Sequence, residues 1–96
     1  MKHELVLLDR PTVLLEPEPV EVVALQPDCA PSRVWWRGEM LEVSEGSGPE
    51  RIATPWWEAR GVWSTVRDYY KVRTEAGWLW VFREWRSGRW FVQGVW

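Results

Sequence analysis

The sequence is poor in the residues that most active-site chemistry needs. Of 96 residues, one is cysteine (Cys29) and one is histidine (His3). No internal disulfide can form, and a Cys/His metal site is excluded. A lone histidine beside a terminus cannot build a Ser/His or Cys/His nucleophilic pair. EGSGPER (45–51) has glycines but no phosphate-loop lysine. Asparagine is absent and Ile52 is the one isoleucine, a bias that suits a GC-rich, thermophilic source. No apolar run approaches the ~20 residues of a membrane span. MKHELVLLDRP lacks the long apolar region and small-residue cleavage site of a signal peptide. The expectation is a cytoplasmic protein with no cofactor, no metal and no membrane partner.

What the sequence does contain is tryptophan. There are ten, in a chain that is 46% hydrophobic and 27% charged. A chain this short forms one domain, 1–96, and buries roughly 60–65% of its unfolded surface. Each tryptophan buries on the order of 200 Å², so ten exceed what so small a core needs. Charge is split as well. Residues 1–50 hold four basic and ten acidic side chains, and residues 51–96 hold eight basic and four acidic, within a net charge of −2. Such a split can mark a binding surface, or the acidic half can neutralise the basic half within the fold.

TVLLEPEPVEVVAL (12–25) is two short apolar runs around Glu-Pro-Glu-Pro. Proline cannot donate to a sheet ladder, so strands are expected at 12–15 and 20–25 with an extended kink between them. QPDCAPS (26–32) reads as a loop. RVWWRGEMLEV (33–43) reads as a hairpin turning near Arg37-Gly38-Glu39. EGSGP (45–49) reads as a loop, and ERIAT as a short strand at best. Pro55 at a first helical position with Thr54 as cap predicts at most a short helix near 55–60. RDYYKVRT, WLWVFREW and RWFVQGVW are three strands joined by three-residue loops, each ending in glycine. The acidic strands 12–43 and the Trp/Arg-rich meander 67–96 are the two halves.

Side chains alternate across a strand, so the turns assign every residue to a face. Centring the turns on 75–77 and 86–88 places Asp68, Tyr70, Val72, Trp78, Trp80, Phe82, Glu84, Trp90, Val92 and Trp96 on the expected core face. Leu14, Val22, Val34, Trp36 and Leu41 join it. The opposite face carries Arg67, Tyr69, Lys71, Arg73, Leu79, Val81, Arg83, Trp85, Arg89 and Phe91. It has five cations and no acid. Three readings stay open. The acidic strands could cover this face in a closed or nearly closed barrel, with Glu16, Glu18 and Glu21 meeting the arginines. It could bind single-stranded nucleic acid, with cations on phosphates and rings on bases. It could be a protein interface. The candidate contact residues are Arg67, Tyr69, Lys71, Arg73, Arg83, Trp85, Arg89 and Phe91. Glu50, Asp68 and Glu84 could pair for acid/base work, but each adjoins an arginine, which suits a structural carboxylate better. Clustered tryptophans could line a groove for a sugar or a methylated amine, but nothing positions the polar partners for one.

GPERIATPWW, RDYY, WVFRE and RWFVQG, in that order, resemble the C-terminal domain of ImuB, the inactive Y-family polymerase-like subunit of the bacterial mutasome. RPTVLLEPEPVEVVAL resembles the segment leading into that domain, and Trp36 to Gly38 a shared hairpin. The likeness runs over roughly residues 9–96. It places the family's motif residues on Gly48 to Ile52, Trp56, Trp57, Arg67 to Tyr70, Phe82 to Glu84, and Trp90, Phe91 and Gly94. Of these, Glu50, Arg51, Trp56, Trp57, Asp68, Tyr70 and Glu84 form a cluster to which the resemblance assigns no role. EARGVWSTV diverges. The chain begins where the polymerase-like body would end and lacks a clamp-binding segment, so a stand-alone copy is expected. The resemblance implies a pathway, translesion synthesis in DNA-damage tolerance. The partners it implies are an error-prone polymerase, a sliding clamp or a RecA-like subunit.

These readings together predict a mainly β fold. About six or seven short antiparallel strands form a bent sheet or a small, partly open barrel. The function expected is non-catalytic binding, first by protein docking and alternatively by single-stranded DNA binding through the basic aromatic face. A homodimer through the C-terminal strand ending at Trp96 is a further expected partner state.

Overall fold

The computed structural model describes residues 11–26, 29–53 and 66–96. The helix expected near 55–60, with Trp56 and Trp57, lies outside them. Among the described residues the chain is all β. Six antiparallel strands follow one another: β1 (Thr12–Val23), β2 (Arg33–Trp36), β3 (Glu39–Ala53), β4 (Val66–Thr74), β5 (Gly77–Glu84) and β6 (Trp90–Val95). Each pairs with its neighbour in sequence, and β1 pairs with β6, so the sheet closes in a ring. Among the described residues no helix is long and apolar enough to cross a membrane.

Two long strands make the closure possible. β1 pairs through Thr12–Val20 with β6 and through Glu21–Val23 with β2. β3 pairs through Glu39–Glu42 with β2 and through Val43–Ala53 with β4. Each thus turns a corner by changing partner along its length, with bulges taking up the bend. Tracing partners across the ring from Glu50 runs through Tyr69, Phe82, Phe91 and Pro19. From there the path reaches the β2–β3 turn, well upstream of Glu50 on the same strand β3. A ring so strongly sheared has steeply tilted strands and a narrow interior that side chains fill.

The interior is mostly aliphatic around the Tyr70 ring. Val20, Val34, Leu41, Tyr70, Val72, Leu79, Val81 and Val92 form the buried cluster, and Leu14, Val22, Trp36, Val43, Trp90 and Val95 pack against it. The sequence expectation for Leu14, Val22, Val34, Trp36 and Leu41 agrees with this. The β2–β3 turn is the two-residue Arg37-Gly38, both at positive φ (53° and 79°). That conformation matches the twist of the flanking strands and accounts for the glycine. Beside it, Glu18 accepts hydrogen bonds from Trp36 Nε1 (3.0 Å), Arg37 Nε (2.9 Å) and Arg37 Nη2 (2.8 Å). The Arg37 hydrogen bond chiefly holds the Glu18 carboxyl below its ordinary range. The acid of β1 therefore meets the hairpin arginine and not the arginines of β4–β6.

Several expectations are corrected. The two N-terminal strands are one bulged strand, whose register breaks between Val13 and Glu18. The prolines interrupt the ladder without ending the strand. EGSGP is not a loop but the middle of β3, with irregularities between Val43 and Glu45 and between Ser47 and Glu50. The mainly β fold of six antiparallel strands is as expected, but because the sheet closes in a ring β6 is paired on both sides and offers no free edge for a second copy.

The largest correction is register. The β4–β5 turn has two residues, Glu75 and Ala76, so Thr74 faces Gly77 and Tyr69 faces Phe82. Thr74 fixes this turn: its hydroxyl accepts from the Ala76 N–H (3.1 Å) and donates to the Gly77 carbonyl (2.8 Å). Glu84 N–H donates to the Arg89 carbonyl (2.8 Å), so the β5–β6 loop spans Trp85–Gly88 rather than three residues. A slip of one residue exchanges faces. Leu79 and Val81 therefore go inside, while Trp78, Trp80, Phe82, Glu84 and Trp96 leave the expected core face.

Candidate binding surface

With that register, the outer side of β4, β5 and β6 carries a continuous belt of rings. Tyr69 and Trp80 lie 4.9 Å apart, Tyr69 and Phe82 5.1 Å, and Phe82 and Phe91 5.2 Å, nearly parallel. Trp80 meets Trp96 edge-on at 6.5 Å. These are ordinary separations for favourable aromatic pairs. None of these rings belongs to the core cluster, yet Phe82 is 1% and Tyr69 8% exposed. The belt is a second apolar layer outside the wall.

Cations cap it. The Arg67 guanidinium lies 4.4 Å from the Phe82 ring centre, and that of Arg89 5.6 Å from Phe91. Lys71 Nζ sits between Trp78 (4.9 Å) and Trp96 (4.6 Å). Arg73 reaches Trp78 at 5.9 Å and forms an exposed ion pair with Glu45 at 3.1 Å. Among the described residues Lys71 and Arg89 have no carboxylate partner. The ring quadrupole attracts each cation and leaves its charge at the surface.

At the start of β4 lies a different arrangement. Asp68 is 2% exposed. Its carboxylate accepts from Arg51 Nε (2.9 Å) and Trp85 Nε1 (2.7 Å), and Arg51 stacks 4.2 Å from the Trp85 ring. Burial pushes the Asp68 carboxyl up. Hydrogen bonds from Arg51 and Trp85, with the fields of Arg51 and Arg83, outweigh it and hold the carboxyl below its usual range. The group is a satisfied structural anion that ties β3, β4 and the β5–β6 loop together.

Two clefts flank the belt. A groove of about 590 Å³ has Tyr69, Lys71, Trp80 and Trp96 as its floor, and Pro11 and Ser47–Glu50 at its sides. Gly48, at φ +124°, lets β3 approach β4 here. A Cβ on it would stand 2.6 Å from the Tyr69 carbonyl oxygen. A wider cleft of about 940 Å³ lies between the β2–β3 and β5–β6 turns, where Trp35, Arg37, Arg89 and Trp90 face each other.

The structure places Arg67, Tyr69, Lys71, Arg73, Arg89 and Phe91 on the outer side, as expected from sequence. Arg83 is not with them: it stands opposite Asp68, on the inward parity at the barrel's end. Trp85 leaves the strand and belongs to the Asp68 cluster. Of the motif residues, Arg51 and Asp68 bond directly, and Tyr70 is core, 5.4 Å from Trp90. Glu50 lines the smaller groove, and Glu84 accepts from the Ser87 hydroxyl at 2.8 Å. Sequence reasoning missed that Trp78, Trp80, Phe82 and Trp96 lie on the outer side of the wall, where Phe82 is nonetheless buried as expected and the three tryptophans are half-buried. The aliphatic set Val72, Leu79, Val81 and Val92 was the available signal, because only a two-residue β4–β5 turn puts Val72 and Leu79 on one face. No group of acidic, histidine or cysteine side chains among the described residues could hold a metal. Comparison with protein-family models, curated proteins and solved structures yields no match.

Proposed function

We propose that the chain is a non-catalytic binding module of DNA-damage tolerance that docks a protein partner through the belt on β4–β6. The observation that carries the docking reading is the belt: aromatic rings lie outside the buried core cluster, with arginine and lysine stacked on them. Tryptophan, tyrosine and arginine are the commonest interface anchors. The pathway rests on the resemblance of GPERI, RDYY, FRE and RWFVQG to the mutasome domain. Within that motif set the Arg51–Asp68 bond gives the acidic residue an architectural role. Protein is favoured over nucleic acid because the chain's own cations lie over Phe82, Phe91, Trp78 and Trp96. Base stacking needs open ring faces.

One observation favours the second reading, single-stranded DNA. Trp85 is 47% exposed in a turn that also carries Arg86 and Arg89. The test is size-exclusion mixing with an error-prone polymerase, a sliding clamp and a RecA-like subunit, beside anisotropy of a labelled single-stranded oligonucleotide. Co-elution with one protein, weakened about tenfold or more by Arg67→Glu or Phe91→Ala, is expected. Co-elution with none overturns docking. Oligonucleotide binding that falls steeply between about 50 and 200 mM salt would establish the DNA reading instead.

A further inference from the structure

Two features point to a second contact. The first is a knob on β1. Between Val13 and Glu18 the strand bulges away from β6, and Leu15 stands 102% exposed, with the exposed Glu16 after it. A leucine without any cover is the kind of apolar surface that marks a contact. The second is the groove beside Lys71. Its floor is aromatic, Lys71 has no carboxylate partner among the described residues, and Trp96 Nε1 is buried without a hydrogen-bond acceptor.

We propose that the Leu15–Glu16 knob of one copy seats in the Lys71/Trp96 groove of a second copy, forming a two-fold dimer. Leu15 supplies the apolar filling between Trp80 and Trp96, and Glu16 brings the carboxylate that Lys71 lacks. Local charge supports this occupant, because the knob carries Glu16 and the floor of the socket carries Lys71. Proximity decides the symmetry. Pro11 lines the groove and Leu15 lies four residues further along the same chain. Knob and socket thus share one patch, and a shared self-complementary patch closes a two-fold pair rather than a filament. The socket shares Tyr69, Lys71, Trp80 and Trp96 with the docking belt, but the knob does not, and the contact is measured on the chain alone.

Sedimentation equilibrium is the test. The wild-type weight-average mass should climb from 11.4 kDa toward twice that value as concentration rises. Leu15→Asp alters a fully exposed side chain and cannot disturb the fold. It should weaken association about tenfold or more, the usual loss when an interface anchor goes. Glu16→Lys and Lys71→Glu should each weaken association, and the double variant should restore it. A wild-type protein that stays monomeric to about 1 mM, a millimolar limit that excludes any specific pairing, overturns the proposal. So does association indifferent to Leu15→Asp, or a charge exchange that fails to rescue. Leu15→Asp should leave partner co-elution intact, so loss of docking and loss of dimer read out separately.

Discussion

Leu79 and Trp80 are adjacent, and the register decides which of them is structural. Leu79 is 1% exposed inside the aliphatic cluster. Cutting it to alanine removes buried methyl groups and leaves a cavity in a narrow interior that cannot easily collapse, a loss of about 2–5 kcal/mol. Trp80 stands outside the wall, half-buried, touching Tyr69 and Trp96. Its alanine variant forfeits two ring pairs at about 0.5–1.5 kcal/mol each, roughly 1–3 kcal/mol together. In a domain of this size each kcal/mol moves the melting temperature by about 4–8 °C. Leu79→Ala should therefore lower it by about 10 °C or more, and Trp80→Ala by clearly less. Differential scanning calorimetry at neutral pH gives both values, with urea unfolding followed by far-UV circular dichroism as a check. If Trp80→Ala proved the more damaging, the three-residue turn would be right and the belt would be core.

Three further outcomes are expected. Asp68 has a folded pKa below its unfolded value of about 3.9, so its stabilisation is present above that value and lost as pH falls through the folded one. Between about pH 4 and pH 2 the wild-type melting temperature should fall more steeply than that of Asp68→Asn; parallel curves would remove Asp68 from the account. At neutral pH, Asp68→Ala should cost about 1–3 kcal/mol in urea unfolding, at the lower end because Arg51 and Trp85 can rehydrate. Gly48→Ala should cost about 1–3 kcal/mol by the same measurement, since its φ and the Tyr69 carbonyl leave no place for a Cβ; an unchanged unfolding midpoint would refute the close approach.

Most elements were legible in the sequence. Arg37-Gly38 marks its hairpin by turn chemistry alone, and the alternation in RDYYKVRT and WLWVFRE marks two strands. What could not be read is how they meet. Gly77 suits the last position of a three-residue loop as well as the first position of β5, and local propensity does not choose between them. Thr74 does, through two short hydrogen bonds that exist only once the turn has closed. Bulk misled as well: Trp78 and Trp80 look more like core than Leu79 and Val81. The narrow interior takes the Tyr70 ring and is otherwise filled by valine and leucine. The middle of β3 escaped notice because its glycines and Pro49 carry loop signals, whereas long-range pairing with β4 holds it extended. The contact face was half legible, because Arg67, Tyr69, Lys71 and Arg73 keep their side whatever β5 does.

The displacement of the tryptophans to the outside has an optical consequence. Trp35, Trp36, Trp78, Trp80, Trp85, Trp90 and Trp96 are all described, and none is buried. Trp36 and Trp90 lean on the core cluster, while the other five, strong chromophores in near-ultraviolet absorption and emission, report the outer wall of the molecule rather than its interior. Emission from these five should follow whatever settles on that wall, while loosening of the valine and leucine interior could pass unseen until the wall itself opens.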